Sequence, residues 1–281
     1  MDMREGPERV FDSVATVAEA VAAREAGAAV LAGGTWMMRD PRRGVDLPKR
    51  IVALSGIAEL QAVDVLDDRV SIGASVTHTA LAKAVTGVAG LEGLAAAATG
   101  AANPAIRRVA TVGGNLCTID FAAADLVPAL LALDAEVELA LADGPRILPL
   151  PDFLRERIAL LNGALLTRVV VRRNAVASTH VRLPLRKAGD YPVAIVSVAR
   201  AADGAIRIAV GSVEPVARRW TALEAAFAGQ TLTPEEAQAL AEKANDFIGR
   251  DGIEVEGWYR RAVLPVLVRR AFAALERGGA A

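Results

Sequence analysis

The spacing of apolar residues changes period several times along the chain. Val17, Ala20, Val21 and Ala23 fall near one helical face, and Thr16 followed by Glu19 makes a capping box, so a helix is predicted over residues 16–25, ended by Gly27. Residues 28–31 are a short apolar run, a buried strand by length and flanks, which delivers the chain into Gly33-Gly34-Thr35. A second strand is predicted at 51–54, and 61–66 pairs with 70–73 as a hairpin across Asp67-Asp68. Small-residue helical composition follows at 77–85 and 91–99, after which Asn103-Pro104 interrupts and a loop runs into Thr111. Residues 122–133 read as helix, 136–141 and 146–148 as strands around the Asp143-Gly144-Pro145 turn, and 169–171 as a further strand.

From about residue 176 the texture changes. Three β-like runs, 180–185, 193–199 and 206–213, are followed by a helix that Thr233 caps, with Pro234 first and Glu236 third, running to about 248. A final helical stretch, 258–275, is expected to break before Pro265. Strands and helices do not alternate regularly, so the fold class is α+β rather than a doubly wound sheet. Two parts are expected: residues 1–175, with subdomains of about 1–55 and 56–175, and a smaller α+β domain, 176–281, with a three-stranded sheet and a helical bundle.

Composition narrows the function classes. With 53% hydrophobic residues in 281, the chain can build real cores, and a net charge of -1 gives no bulk attraction to nucleic acid or anionic lipid. Aromatics are only 4%, too few for a stacking platform along single-stranded nucleic acid. Cys117 is the single cysteine, so neither a disulfide nor a thiolate metal site or iron–sulfur cluster can be made within the chain. The N-terminal ten residues carry Asp2, Arg4, Glu5, Glu8 and Arg9 instead of an apolar signal core, and no apolar run approaches the ~20 residues of a membrane span. A cytoplasmic protein without a transmembrane segment is expected. His78 and His180 sit in no Ser/His/Asp or metal-binding spacing and read as structural or surface residues, so no catalytic residue and no metal ligand is nominated.

The informative motifs are two loops more than seventy residues apart: Ala32, Gly33, Gly34 and Thr35, then Thr111, Val112, Gly113, Gly114 and Asn115. Paired glycines let consecutive backbone N–H groups turn into one concavity and admit a diphosphate closely, with Thr35, Thr111 and Asn115 as added hydrogen-bonding groups. Either loop alone reads more readily as an ordinary Gly-Gly turn, and the pair is what carries weight. Neither a Gly-x-Gly-x-x-Gly nor a P-loop occurs, so a dinucleotide held here would use another scaffold.

Three runs carry a specific resemblance: Leu31-Ala32-Gly33-Gly34-Thr35, Ala110-Thr111-Val112-Gly113-Gly114-Asn115-Leu116, and the stretch from Ala124-Asp125-Leu126 to Asp134-Ala135. In order and spacing they are similar to the FAD-binding subunits of molybdenum hydroxylases of the xanthine dehydrogenase and carbon monoxide dehydrogenase type. Residues 193–199, the run Gly211-Ser212-Val213-Glu214-Pro215-Val216-Ala217-Arg218 and Tyr259-Arg260-Arg261 extend the resemblance over nearly the whole chain.

The resemblance implies a two-subdomain FAD-binding domain of the vanillyl-alcohol-oxidase (PCMH) type, with both glycine loops on the FAD diphosphate and Asp125 as a further contact. Asp125 also reads as a carboxylate stabilised by a helix dipole, worth ~0.5 kcal/mol. A basic residue of the family pattern falls on Lys187, with Arg186 as the alternative. Trp36 stands where relatives usually have Asp, and either covers part of the cofactor or packs; Cys117 to Ala124 replaces a segment that usually has Ser-Pro before the Asp. The resemblance further implies an oxidoreductase subunit that takes electrons from [2Fe–2S] clusters of a small partner subunit. A large partner would hold the molybdenum cofactor, in a dimer of heterotrimers, and electrons would leave to an external acceptor. The alternatives are a free-standing flavin oxidoreductase and an interaction subunit that has lost FAD.

Overall fold

The structure, a computed structural model, describes residues 9–187 and 190–278, so most of the polar N-terminal stretch lies outside it. The chain opens with β1 (Val10–Ser13), helix α1 (Val17–Glu25), β2 (Ala29–Leu31), a 3-10 turn at Met37–Arg43 and β3 (Arg50–Ala53). The three strands form a parallel sheet in the order β1-β3-β2. The capping box predicted at Thr16 and Glu19 is present, and β2 runs straight into the first glycine loop.

Next come β4 (Val63–Val65), β5 (Arg69–Gly73), helices α2 (His78–Val85), α3 (Glu92–Gly100), α4 (Pro104–Arg107), α5 (Val112–Cys117) and α6 (Leu126–Ala132), strands β6 (Glu136–Leu141) and β7 (Gly144–Pro149), helix α7 (Leu150–Leu160) and strand β8 (Leu165–Arg172). Their strands make an antiparallel sheet, β4-β5-β8-β6-β7, and the hairpin read across Asp67-Asp68 is there in register Val63↔Ile72. The rest of the chain holds β9 (Ala175–Pro184), β10 (Pro192–Ala201), β11 (Ile206–Gly211), β12 (Arg218–Arg219), and helices α8 (Thr221–Phe227), α9 (Pro234–Lys243), α10 (Gly257–Ala262) and α11 (Leu264–Gly278). The α+β fold class stands.

Several local expectations change. The 103–115 loop is two short helices, α4 capped by Asn103 with Pro104 first, and α5 capped by Thr111; glycine content hid the second. The helix expected at 122–133 is only α6, with Asp125 just before it. Strand β1, whose four residues are all exposed, and helices α7 and α8 give too weak a periodicity to be read. The last sheet gains a two-residue fourth strand, β12, and α9 stops at Lys243. The break before Pro265 is where proline chemistry places it, between α10 and α11.

Helix α6 joins the cores. All seven of its residues are buried, as a helix must be when it is apolar on every side. It packs against α3, α5 and α7 in the larger hydrophobic cluster and against β10, β11 and β12 of the last sheet. The opposite face of that sheet carries α11 and α8, with Ala194, Val196, Val198, Ile208 and Val210 in a second cluster. Covered on both faces, β10 buries nine of its ten residues and reads as a continuous apolar run. Leu130, fully buried on α6, is the test: Leu130→Ala should cost about 2–5 kcal/mol in urea-induced unfolding, by lost burial plus the cavity left behind.

Candidate functional site

A cavity of about 1040 Å³ lies between the two glycine loops. Ordinary small-molecule sites occupy roughly 300–1,000 Å³, so this one has room for a dinucleotide-sized ligand. Its wall includes Ala32, Gly33, Gly34, Thr35, Trp36, Thr111, Gly113, Gly114, Asn115 and Asp125. Of the sequence candidates, Val112 instead points into the core, fully buried, and exposed Lys187 lies off the cavity wall. Close in sequence to Lys187, the basic side chains on the wall are Arg186, the alternative, and, unanticipated, Arg182.

The loops meet because glycine lets them. A Cβ on Gly33 would stand 1.8 Å from the Val109 carbonyl oxygen, and one on Gly113 would be 2.9 Å from both the Cβ and the carbonyl oxygen of Ala74. Neither contact tolerates a side chain, so these two glycines set chain-to-chain approach as much as ligand approach.

The two loops offer a ligand different things. In the second, the first four amides of α5 are already used: Val112 donates to Val76 O, Gly113 to Ala74 O, Gly114 to Thr111 Oγ1 and Asn115 to Thr111 O. In the first, the amides of Gly33, Gly34, Thr35 and Trp36 have no acceptor among the described residues. The expectation that both loops present free consecutive N–H groups fails for the second, while in the first the four amides are left without acceptors. The second contributes side chains. Asn115 accepts the Leu126 amide through Oδ1, which leaves its Nδ2 as a donor, and the Thr111 hydroxyl keeps its proton to give.

Asp125, 4% exposed, makes no helix-capping hydrogen bond; its Oδ1 accepts from Arg182 Nε at 2.9 Å, and His180 Nε2 lies 3.6 Å away. His180 Nδ1 is 2.9 Å from Ser197 Oγ, which puts a serine, a histidine and an aspartate in line, an arrangement sequence spacing hid. Ser197 is only 1% exposed and so unavailable to a substrate, and His180 Nε2 makes no hydrogen bond to the carboxylate; Arg182 alone bonds it. Both histidines are buried, neither on the surface, and His78 lines the cavity. His78 and Arg182 carried no motif that could have marked them. Six arginines and four carboxylates line the cavity, in a chain that is nearly neutral overall, so an anionic ligand is favoured.

At one end stands an aromatic group. Trp36 packs on Phe121, centroids 4.8 Å apart, and Phe121 meets Tyr191 edge-on at 5.8 Å; Arg39 and Arg43 each lie 5.2 Å over the Trp36 ring. Trp36 thus both packs and lines the cavity. The same three aromatics also border a second cavity of about 560 Å³, which Arg250 and Arg260 reach.

The sequence family described as "FAD binding domain in molybdopterin dehydrogenase" matches residues 10–172, which takes in both loops and Asp125. The chain belongs to this family. Like other FAD-binding domains of molybdopterin dehydrogenases, it has relatives among enzyme subunits. It is 34% identical over 146 residues to a xanthine dehydrogenase FAD-binding subunit of Escherichia coli O157:H7, covering 51% of this chain and 50% of the relative. It is 27% identical over 250 residues to the nicotine 6-hydroxylase medium subunit of Paenarthrobacter nicotinovorans, covering 86% and 87%. The chain spans about half the length of the curated xanthine dehydrogenase relatives it matches. Among solved structures, a carbon monoxide dehydrogenase from Hydrogenophaga pseudoflava superposes with a TM-score of 0.86 at 27% identity, covering 96% of this chain and 98% of that one. Similarity over nearly the whole chain confirms the fold expected of this FAD-binding family.

Two outcomes follow from the geometry. Gly33→Ala should lose roughly 1–3 kcal/mol or more in denaturant unfolding, because a backbone carbonyl cannot yield as a side chain would. The second concerns His78, whose imidazole burial pushes down from 6.5 to about 4, with Asp125 pulling it up and Arg107 adding to the depression. Below about pH 6.5 the unfolded chain takes up a proton that the folded one refuses, so this stability is complete above that pH and is lost as pH falls toward 4. Ligand-free protein should lose up to roughly 3 kcal/mol across that window, and His78→Gln should flatten the dependence.

Proposed function

We propose that the chain holds FAD across the two glycine loops and serves as the electron outlet of a molybdenum hydroxylase. The observation that carries this is the run of four free amides, Gly33 to Trp36, on the wall of an arginine-lined cavity, in a member of the FAD-binding family. The cavity's size, its excess of arginine and the donors left on Asn115 and Thr111 all fit a dinucleotide diphosphate. Ala32, Gly33, Gly34, Thr35 and Trp36 border one side of it, Thr111, Gly113, Gly114 and Asn115 the other, and Asp125 an inner wall, while Arg182 and Arg186 take the basic role sought at Lys187. Bound flavin supplies the redox chemistry itself, so the chain need only bind it, orient it, keep water from the ring and limit access. The aromatic group of Trp36, Phe121 and Tyr191 suits the last two tasks.

Electrons reach this subunit from the [2Fe–2S] clusters of a small partner, a large partner holds the molybdenum cofactor and the organic substrate, and an external acceptor takes the electrons away. The assembly is a cytoplasmic dimer of heterotrimers. Residues 1–175 form the FAD-binding domain and 176–281 a C-terminal α+β domain. Relatives named as medium or FAD-binding subunits support this division of labour. Among the described residues no helix is long and apolar enough to cross a membrane, and no cluster of three or more His, Cys, Asp or Glu could hold a metal.

Protein purified from its native host should show a flavin absorption spectrum and co-purify with molybdenum and iron; colourless protein that takes up no FAD would reject the reading. A solitary yellow protein, active alone, would replace the subunit role by a free-standing oxidoreductase. Gly114→Val should lose flavin while staying folded, since a Cβ there meets only Thr111 Oγ1, at 3.0 Å, and the added bulk faces the cavity.

A further inference from the structure

His78 lines the cavity at 3% exposure, and neither of its ring nitrogens has a hydrogen-bond partner among the described residues. Buried polar groups are ordinarily paired, so two open positions on one ring need a partner that the protein does not itself supply. The groups around it bond to other partners and none bonds to the ring. The His78 amide donates to Ala110 O, Thr111 Oγ1 accepts from Gly114, and Arg107 donates to the Ala101 and Ala102 carbonyls. What the ring does face is the cavity.

We propose that His78 is a binding residue for the dinucleotide, pairing with a sugar hydroxyl and not with the diphosphate; this rests on the FAD reading above. A neutral imidazole presents one N–H and one lone pair, and a hydroxyl can both accept and donate, whereas a diphosphate only accepts. The surroundings keep the ring neutral. His78 is the first residue of α2, where the helix's positive end disfavours a second positive charge, and Arg107 adds to that while Asp125 opposes it. The Asp125 carboxylate, within electrostatic reach, is a second acceptor for the same polyhydroxyl segment.

The test uses the full chain freed of flavin. FAD titration and thermal melting of the ligand-free protein are compared for the native chain, His78→Leu and His78→Asn. His78→Leu should bind FAD about tenfold more weakly, the worth of about one net hydrogen bond, yet melt no lower than the native chain without ligand, since it removes unpaired polar atoms from the interior. His78→Asn, which still donates and accepts, should recover much of the affinity. Competition against FAD by ADP, FMN and inorganic pyrophosphate then locates the contact. Weakening of ADP alone points to the adenosine half and of FMN alone to the ribityl chain, with pyrophosphate unchanged in either case. Unchanged FAD affinity in His78→Leu, a ligand-free melting temperature that falls with it, or a loss seen equally with pyrophosphate would overturn the proposal. If the native chain itself bound no FAD, the functional reading would fail first, and that result is distinct from all of these.

Discussion

The site depends on one steric constraint, the absence of a side chain at Gly33. Two loops from different sheets can share a wall only if their backbones touch, and any Cβ at this position would overlap the Val109 carbonyl oxygen. The parallel sheet brings the first loop to that contact from the end of β2. The second arrives on α5, pressed against Ala74 just beyond β5 through Gly113. Each sheet is thus aimed at the other through a glycine, and the cavity is the space left beside the junction.

Electrostatics then divides the labour. The chain is close to neutral, its cavity wall carries six arginines against four carboxylates, and the one carboxylate buried deeply there, Asp125, is held in place by Arg182 from β9. The strand that braces Asp125 belongs to the last sheet. The C-terminal part of the chain therefore contributes to the geometry of a pocket whose glycine loops lie in the N-terminal part.

Much of this was legible in the sequence where local chemistry is strong. The capping boxes at Thr16 and Thr233, the Asp67-Asp68 hairpin, the break before Pro265 and the paired glycine loops all announce themselves within a few residues. Legibility failed where tertiary contacts decide. Thr111-Val112-Gly113-Gly114-Asn115 reads as a loop because glycine disfavours helix, but contacts from Ala74 and Val76 hold it helical. The alignment of Ser197, His180 and Asp125 joins residues far apart in sequence, and no spacing rule connects them. Arg182, which no motif marks, reaches the cavity from β9: only strand geometry shows which of several basic residues line it.

Helix α6 has a consequence for how the molecule comes apart. Its seven residues are buried between the larger core on one side and the last sheet on the other, so neither half has an apolar surface that it could close over alone. Peeling the C-terminal sheet away would leave Leu126 to Ala132 facing water and would release the brace on Asp125. Loss of the distal half and loss of the pocket are then one cooperative event, and a lesion far from the glycine loops can empty the site without touching it.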